Sequence, residues 1–255
     1  MRVKSAVLGV LFALAPAFPV FAQQSGNVTI INSQIPKPGE AKQYEAARTK
    51  HWGWHKGQKD AWTYYVWQVV SGDNTGAYVV GTLGHAWKEL DAREATAKAD
   101  LADAYATIGP TLARSMASYW TERTDISQSP IAAGWSPTPL MAIATYLLRP
   151  DAVNDFVDAV KKINEGIKKT NYPVPGPSRW YQLVNGGENP TFVLVGDRAN
   201  WAAFQPNDKT LDAAMAEAYG KDEGAALMAS LRKTFHSIHT SIYKYRADLS
   251  YIPAK

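Results

Sequence analysis

The stretch KHWGWHK, Lys50 to Lys56, sets two histidines four residues apart among tryptophans and basic residues. On a helix, His51 and His55 share one face. Such a pair meets a metal or a haem iron, or it sits in a packed aromatic helix where each imidazole hydrogen-bonds a neighbour. The helical zinc-protease signature requires Glu directly after the first histidine, and that position is Trp52. No third ligand lies close in sequence, so no metal is assigned and the cofactor is left unknown. His85 is the remaining histidine of the first half of the chain. With His51 and His55 it heads the candidate ligand-binding set, together with Tyr65, Trp67, Gln68 and Thr82. No glycine-rich phosphate loop follows a strand, no nucleophile elbow is present, and no pair of acids has a readable role.

The elements that must position these residues begin after a leader. Arg2 and Lys4 precede an apolar run from Ala6 to Ala17, and Val20-Phe21-Ala22 offers a cleavage site before Gln23. Residues 1–22 are therefore read as a signal peptide and the mature protein as periplasmic or secreted. The run is shorter than the roughly 20 residues a membrane anchor needs, and no later stretch qualifies, so no membrane span is expected after cleavage. Losing Arg2 and Lys4 takes the net charge from +4 to +2, too mild to suggest a nucleic-acid partner. The absence of cysteine excludes disulfides, thiolate catalysis and cysteine metal sites. Nine tryptophans and thirteen tyrosines point to thick apolar packing or to a cavity walled by rings.

The chain repeats itself. WQVVSG at 67–72 echoes YQLVNG at 181–186, and AYVVGTLGHAWKEL from Ala77 echoes TFVLVGDRANWAAF from Thr191, both at an offset of 114. KPGEAKQYE from Lys37 matches RPDAVNDFV from Arg149 at 112, and RTDISQSP from Arg123 matches RADLSYIP from Arg246 at 123. Each half reads as strand, helix, strand, turn, strand, helix, strand. The first half predicts strands over 28–35, 62–70, 77–83 and 115–123, with helices over 40–58 and 87–112, the latter broken at Gly109-Pro110. The second predicts strands over 141–148, 178–184, 191–197 and 239–246, with helices over 151–170 and 211–235. A linker rich in proline and glycine, 127–139, joins them. The units are placed at 23–135 and 136–255.

This β-α-β-β-α-β order is the ferredoxin-like unit. The order, the duplication and the WQVVSG…TGAYVVGT…W passage resemble the dimeric α/β-barrel superfamily, which includes antibiotic-biosynthesis-type monooxygenases, NIPSNAP-like proteins and chlorite-dismutase and dye-peroxidase relatives. The resemblance covers nearly all of the mature chain and lies in pattern rather than in a catalytic signature. It implies an α+β fold in which two tandem ferredoxin-like repeats pack as one α/β barrel within a single chain. It also implies a small hydrophobic or aromatic ligand. In haem-binding members the cofactor lies in a helix–sheet cleft, held by a helix histidine, so haem is the cofactor to test.

The second half serves as an internal control. Phe156, Val160, Ile163 and Ile167 form a core-facing stripe at helical spacing, and at an offset of 112 they correspond to Tyr44, Arg48, His51 and His55. The histidines should therefore point at the sheet. His85 corresponds to Ala199, so all three imidazoles belong to the first half alone. Gln68 and Gln182 either face the barrel interior or pair with each other across the pseudo-twofold axis. Arg123 with Asp125, and Arg246 with Asp248, are expected as fold-closing ion pairs. Trp87 and Trp201 are expected to plug the junctions of helix and sheet. Two functions follow: an exported small-molecule-binding barrel, monooxygenase-like or haem-associated, with its site in the first repeat, or a non-catalytic binding or structural protein of the cell envelope. The oligomeric state is left unknown.

Overall fold

The computed structural model describes residues 26–132 and 134–254, so the expected leader lies outside the described residues. The first repeat contains β1 (Val28–Pro36), α1 (Ala41–Gly57), β2 (Tyr65–Ser71), β3 (Tyr78–His85), α2 (Trp87–Thr107) and β4 (Leu112–Glu122). The second contains β5 (Leu140–Leu148), α3 (Val153–Lys169), β6 (Ser178–Asn185), β7 (Thr191–Arg198), α4 (Leu211–Tyr219), α5 (Lys221–Lys233) and β8 (Phe235–Tyr245). The eight strands close into an antiparallel barrel in the order β1-β3-β2-β8-β5-β7-β6-β4. Each repeat supplies one ferredoxin-like sheet, and the sheets join where β2 meets β8 and β4 meets β6. Closure leaves no sheet edge unpaired.

Alternation along the strands sorts their side chains between two faces. Trp67, Val69, Val79, Met141 and Ile143 point into the barrel. Val66, Tyr78 and Val80 point outward beneath α1, and Trp180 and Phe192 do the same beneath α3. The duplication extends to register. Gln68 lies opposite Tyr78, and Gln182 opposite Phe192.

The repeated Arg-x-Asp-x-Ser segments close the barrel by exchange. The Arg123 N–H donates to the Trp180 carbonyl and the Arg246 N–H to the Val66 carbonyl, both at 2.8 Å. Ser127 Oγ accepts from the Trp180 N–H and Ser250 Oγ from the Val66 N–H. Trp52 Nε1 donates to the Leu249 carbonyl, and Asn164 Nδ2 to the Ile126 carbonyl. The tail of each repeat thus clamps the second strand and first helix of the other. Both arginines form the expected two-pronged pairs with Asp125 and Asp248.

Several boundaries differ from expectation. The helix expected over 211–235 is two helices, broken at Gly220, whose φ of +89° favours a residue without Cβ. β8 starts at Phe235, earlier than expected, and α2 stops at Thr107 before a short turn through Gly109–Thr111. Trp87 and Trp201 plug nothing, being 46% and 59% exposed. They sit at the starts of α2 and of a short turn over Trp201–Phe204, where their rings lie against Tyr119 and Phe204 instead of between helix and sheet.

The helix layers differ most. None of α2's 21 residues is buried. In the second repeat, Ala214, Met215, Leu227 and Met228 of α4 and α5 are buried against α3. α2 is rich in alanine from Ala95 to Ala106. Alanine favours helix but fills little volume, so α2 holds its shape while standing off the sheet.

Candidate functional site

The site is organised by the end of α1. Lys59 takes a left-handed conformation, φ +54°, and turns the chain so that the Asp60 N–H donates to the His55 carbonyl at 3.0 Å. The second repeat makes the same turn, with Asn171 at φ +46° and the Tyr172 N–H on the Ile167 carbonyl at 3.0 Å. One backbone device therefore delivers an acid beneath α1 and a tyrosine beneath α3.

His51 and His55 are buried, as their isoleucine counterparts predicted. His55 Nδ1 hydrogen-bonds Asp60 Oδ2 at 2.6 Å, and His51 Nδ1 hydrogen-bonds Asp103 Oδ2 of α2 at 2.7 Å. The other nitrogens converge. His51 Nε2 and His55 Nε2 are 3.1 Å apart, and they lie 3.2 and 3.3 Å from Asp100 Oδ1. Arg93 grips both oxygens of Asp60 and donates to the Tyr64 hydroxyl at 2.6 Å. The Trp62 N–H completes the shell of Asp60.

Burial alone raises the Asp60 carboxyl, but hydrogen bonds from Arg93, His55 and the Trp62 N–H outweigh it and hold Asp60 well below the usual carboxylate range. For Asp100, burial is likewise outweighed by the two imidazoles. Burial disfavours a charged His55, yet Asp100 and Asp60 overcome it and lift its pKa above the ordinary imidazole value. Burial pushes the Tyr64 hydroxyl far up, so it stays neutral.

Beside this cluster lies a cleft of ≈ 780 Å³ between α1, α2 and the sheet. Gln34, Arg48, Trp52, Leu101 and Tyr105 line it with the two histidines and Asp100. Arg48 is buried, touches the Gln34 carbonyl with one terminal nitrogen and lies over the Trp52 ring. Its Nε has no hydrogen-bond partner. A buried donor without a partner is uncommon in a settled core.

No family model matches the chain, and no curated protein matches it. Among solved structures, an anthrone oxidase-like protein is similar over 92% of this chain and 96% of its own, at 12% identity and a TM-score of 0.56. A provisionally assigned monooxygenase from Fusobacterium nucleatum is similar over 87% and 93%, at 8% identity and a TM-score of 0.53. The chain shares with them a fold of two ferredoxin-like repeats closed as one α/β barrel. At these identities the likeness establishes the α/β barrel and leaves its chemistry to the residues.

Within the α/β barrel the other candidates separate. Tyr65 and Trp67 face the interior, which holds a second cavity of ≈ 200 Å³ walled by Trp67, Trp120, Trp135, Tyr181 and Tyr243. Trp67 Nε1 is buried there without a partner. Trp135, from the linker, packs against this interior cluster and lies edge-on to Tyr65. Gln68 neither enters the barrel nor pairs with Gln182. It shares the outward face of Val66, while Gln182 accepts from Arg123 at 2.8 Å. Alternation in the sequence separates two faces but does not say which is inside.

Thr82 and His85 are also outward and buried. Thr82 Oγ1 lies 2.6 Å from His85 Nε2, Glu89 lies 3.1 Å from its Nδ1, and Trp62 stacks on its ring. Burial outweighs Glu89 and lowers the His85 pKa. Both nitrogens of His85 are engaged, and it does not line the cleft. Sequence reasoning missed Asp60, Arg93, Asp100 and Asp103. It also missed the buried pair Arg179–Asp197, at 2.6 Å. The available signal was Arg93, Asp100 and Asp103, whose spacing of seven and three puts them on one helix face.

Proposed function

We propose that this α/β barrel is an exported small-molecule-binding protein of monooxygenase-like type, with its site in the helix–sheet cleft of the first repeat. One observation carries the reading. A cleft of ≈ 780 Å³ opens between α1, α2 and the sheet, and Arg48, buried with its Nε unpartnered, lines it beside the two imidazoles. The volume lies within the range of sites for drug-sized ligands, about 300–1,000 Å³. Its rings and its arginine suit a flat apolar molecule carrying a carboxylate or carbonyl oxygen. The charged, then apolar, then small-residue pattern of residues 1–22 supports export.

Haem suits the histidines poorly as they stand. An axial imidazole must present Nε2 clear of other groups, since the macrocycle surrounds the iron. Here each Nε2 has a second imidazole and the Asp100 carboxylate within 3.3 Å. A porphyrin would need both to withdraw.

The test uses anilinonaphthalene sulfonate, an anionic aromatic fluorophore. One saturable site is expected, weakened about tenfold by Arg48→Met and lost in Ala97→Phe, which fills the cleft. Equal binding by both folded variants would remove this reading. A haemin titration gives the porphyrin reading its own chance: a sharp Soret band lost in His51→Ala and in His55→Ala would assign the cleft to haem. The second reading, a non-catalytic binding protein, is favoured by the apolar interior cavity and the unpartnered Trp67 Nε1. Binding that survives Ala97→Phe but fails in Val79→Trp would select it.

A further inference from the structure

We propose that His51 Nε2, His55 Nε2 and Asp100 Oδ1 bind one divalent transition-metal ion in the first-repeat cleft. The metal assignment stands on the ligand set. The idea that its open positions meet a bound small molecule rests on the cleft reading above.

The three atoms form a near-equilateral triangle with sides of 3.1, 3.2 and 3.3 Å. An ion about 2.1 Å from each, the usual distance for such ligands, would sit about 1 Å above their plane. Three ligands on one face leave the opposite positions open. Two histidines and a carboxylate in that arrangement suit iron(II), cobalt(II) and zinc(II).

The surrounding shell is also of the right kind. A metal-bound imidazole normally gives its second nitrogen to a carboxylate, which fixes the ring. Both histidines do so, to Asp103 and to Asp60. Asp60 is itself locked by Arg93 and the Trp62 N–H, so the ring of His55 has little freedom to turn.

Charge points the same way. Asp60, Asp100 and Asp103 bring three negative charges against the one positive charge of Arg93, which contacts both Asp60 and Asp100. A divalent ion at the centre of the triangle would set two further positive charges among these carboxylates. The fold itself does not need these rings, since Ile163 and Ile167 occupy the same positions in the other repeat.

The test is cobalt(II) titration of EDTA-stripped protein, read by visible absorption and by calorimetric stoichiometry. One ion per chain is expected, with a Kd on the order of 1 μM or tighter. His51→Ile and His55→Ile copy the second repeat and should fold. Each should weaken binding at least about 100-fold, while Asp103→Asn should weaken it about tenfold by freeing the ring of His51. Asp100→Asn checks the carboxylate without changing its size. No binding at 100 μM cobalt(II) by folded wild-type protein, or unaltered binding in either isoleucine variant, would overturn the proposal. Anilinonaphthalene sulfonate binding is measured in the same stripped samples. Dye binding without cobalt binding ends the metal proposal and spares the cleft, and cobalt binding without dye binding does the reverse.

Discussion

The two repeats share a skeleton and differ beneath their first helices. α1 and α3 are each 17 residues long and end in the same left-handed turn. Each is clamped by the tail of the opposite repeat. Beneath α3 the packing is Ile163, Met215 and Leu227. At the matching level beneath α1 it is two imidazoles and a locked Asp60, with Asp100 and Asp103 reaching in from α2. Apolar packing at this level supports the fold without desolvation cost, as the second repeat demonstrates. A buried polar layer at the same level is costly and holds only because its charges are paired. Placing that cost beside an open cleft fits a function for the layer better than a structural need.

The largest break in this comparison should come from Asp60→Ala. It strips Arg93 and His55 of their shared partner and should cost about 3–5 kcal/mol in denaturant unfolding. A loss below about 1 kcal/mol would show that the layer is not held together as described. Next is the reverse transplant, Ile163→His. Its cluster is apolar, so the imidazole meets no acid there, and a loss of about 2–4 kcal/mol is expected from the unfolding midpoint. Smaller is His55→Ile in chelator-treated protein. It removes a ring whose two acids keep Arg93, and stability should hold within about 1 kcal/mol. A larger loss would make the imidazole a structural group rather than a ligand.

The smallest effect separates the two closing arginines. Arg246 holds two acids, Glu45 and Asp248, whereas Arg123 holds Asp125 and the neutral Gln182. Hydrogen bonds from Arg246 lower the carboxyls of Glu45 and Asp248. Groups lowered in the folded state add stability above the unfolded carboxyl pKa of about 4, and lose it as pH falls through the folded values. Arg246→Met should therefore flatten the acid limb of stability against pH more than Arg123→Met. Partial exposure keeps the difference under about 1 kcal/mol. Equal flattening in thermal melts between pH 2 and pH 5 would cancel the distinction.

Much of the architecture was legible in the chain. The offsets of 112, 114 and 123 reappear in α1 against α3, in the facing residues of β2–β3 and β6–β7, and in the exchanged Arg-x-Asp-x-Ser closures. Comparing the repeats also placed His51 and His55 beneath their helix. The same comparison misjudged Trp87 and Trp201, because symmetry transfers a position but not its depth. It left Gln68 without a face, because period-two alternation is blind to which side closes.

The sequence by itself determined the duplicated unit, the strand and helix periods and the singularity of the first repeat's histidines. These depend on residues near one another in the chain or at a fixed offset. Only the tertiary structure decided that Asp60 folds back onto His55, that Asp100 and Asp103 descend from a helix some 45 residues onward, and that an alanine-rich α2 leaves a cleft above them. The physical reason is that the register between α1 and α2 is set by side chains packing across space. No spacing along the chain encodes which carboxylate that packing will bring to an imidazole.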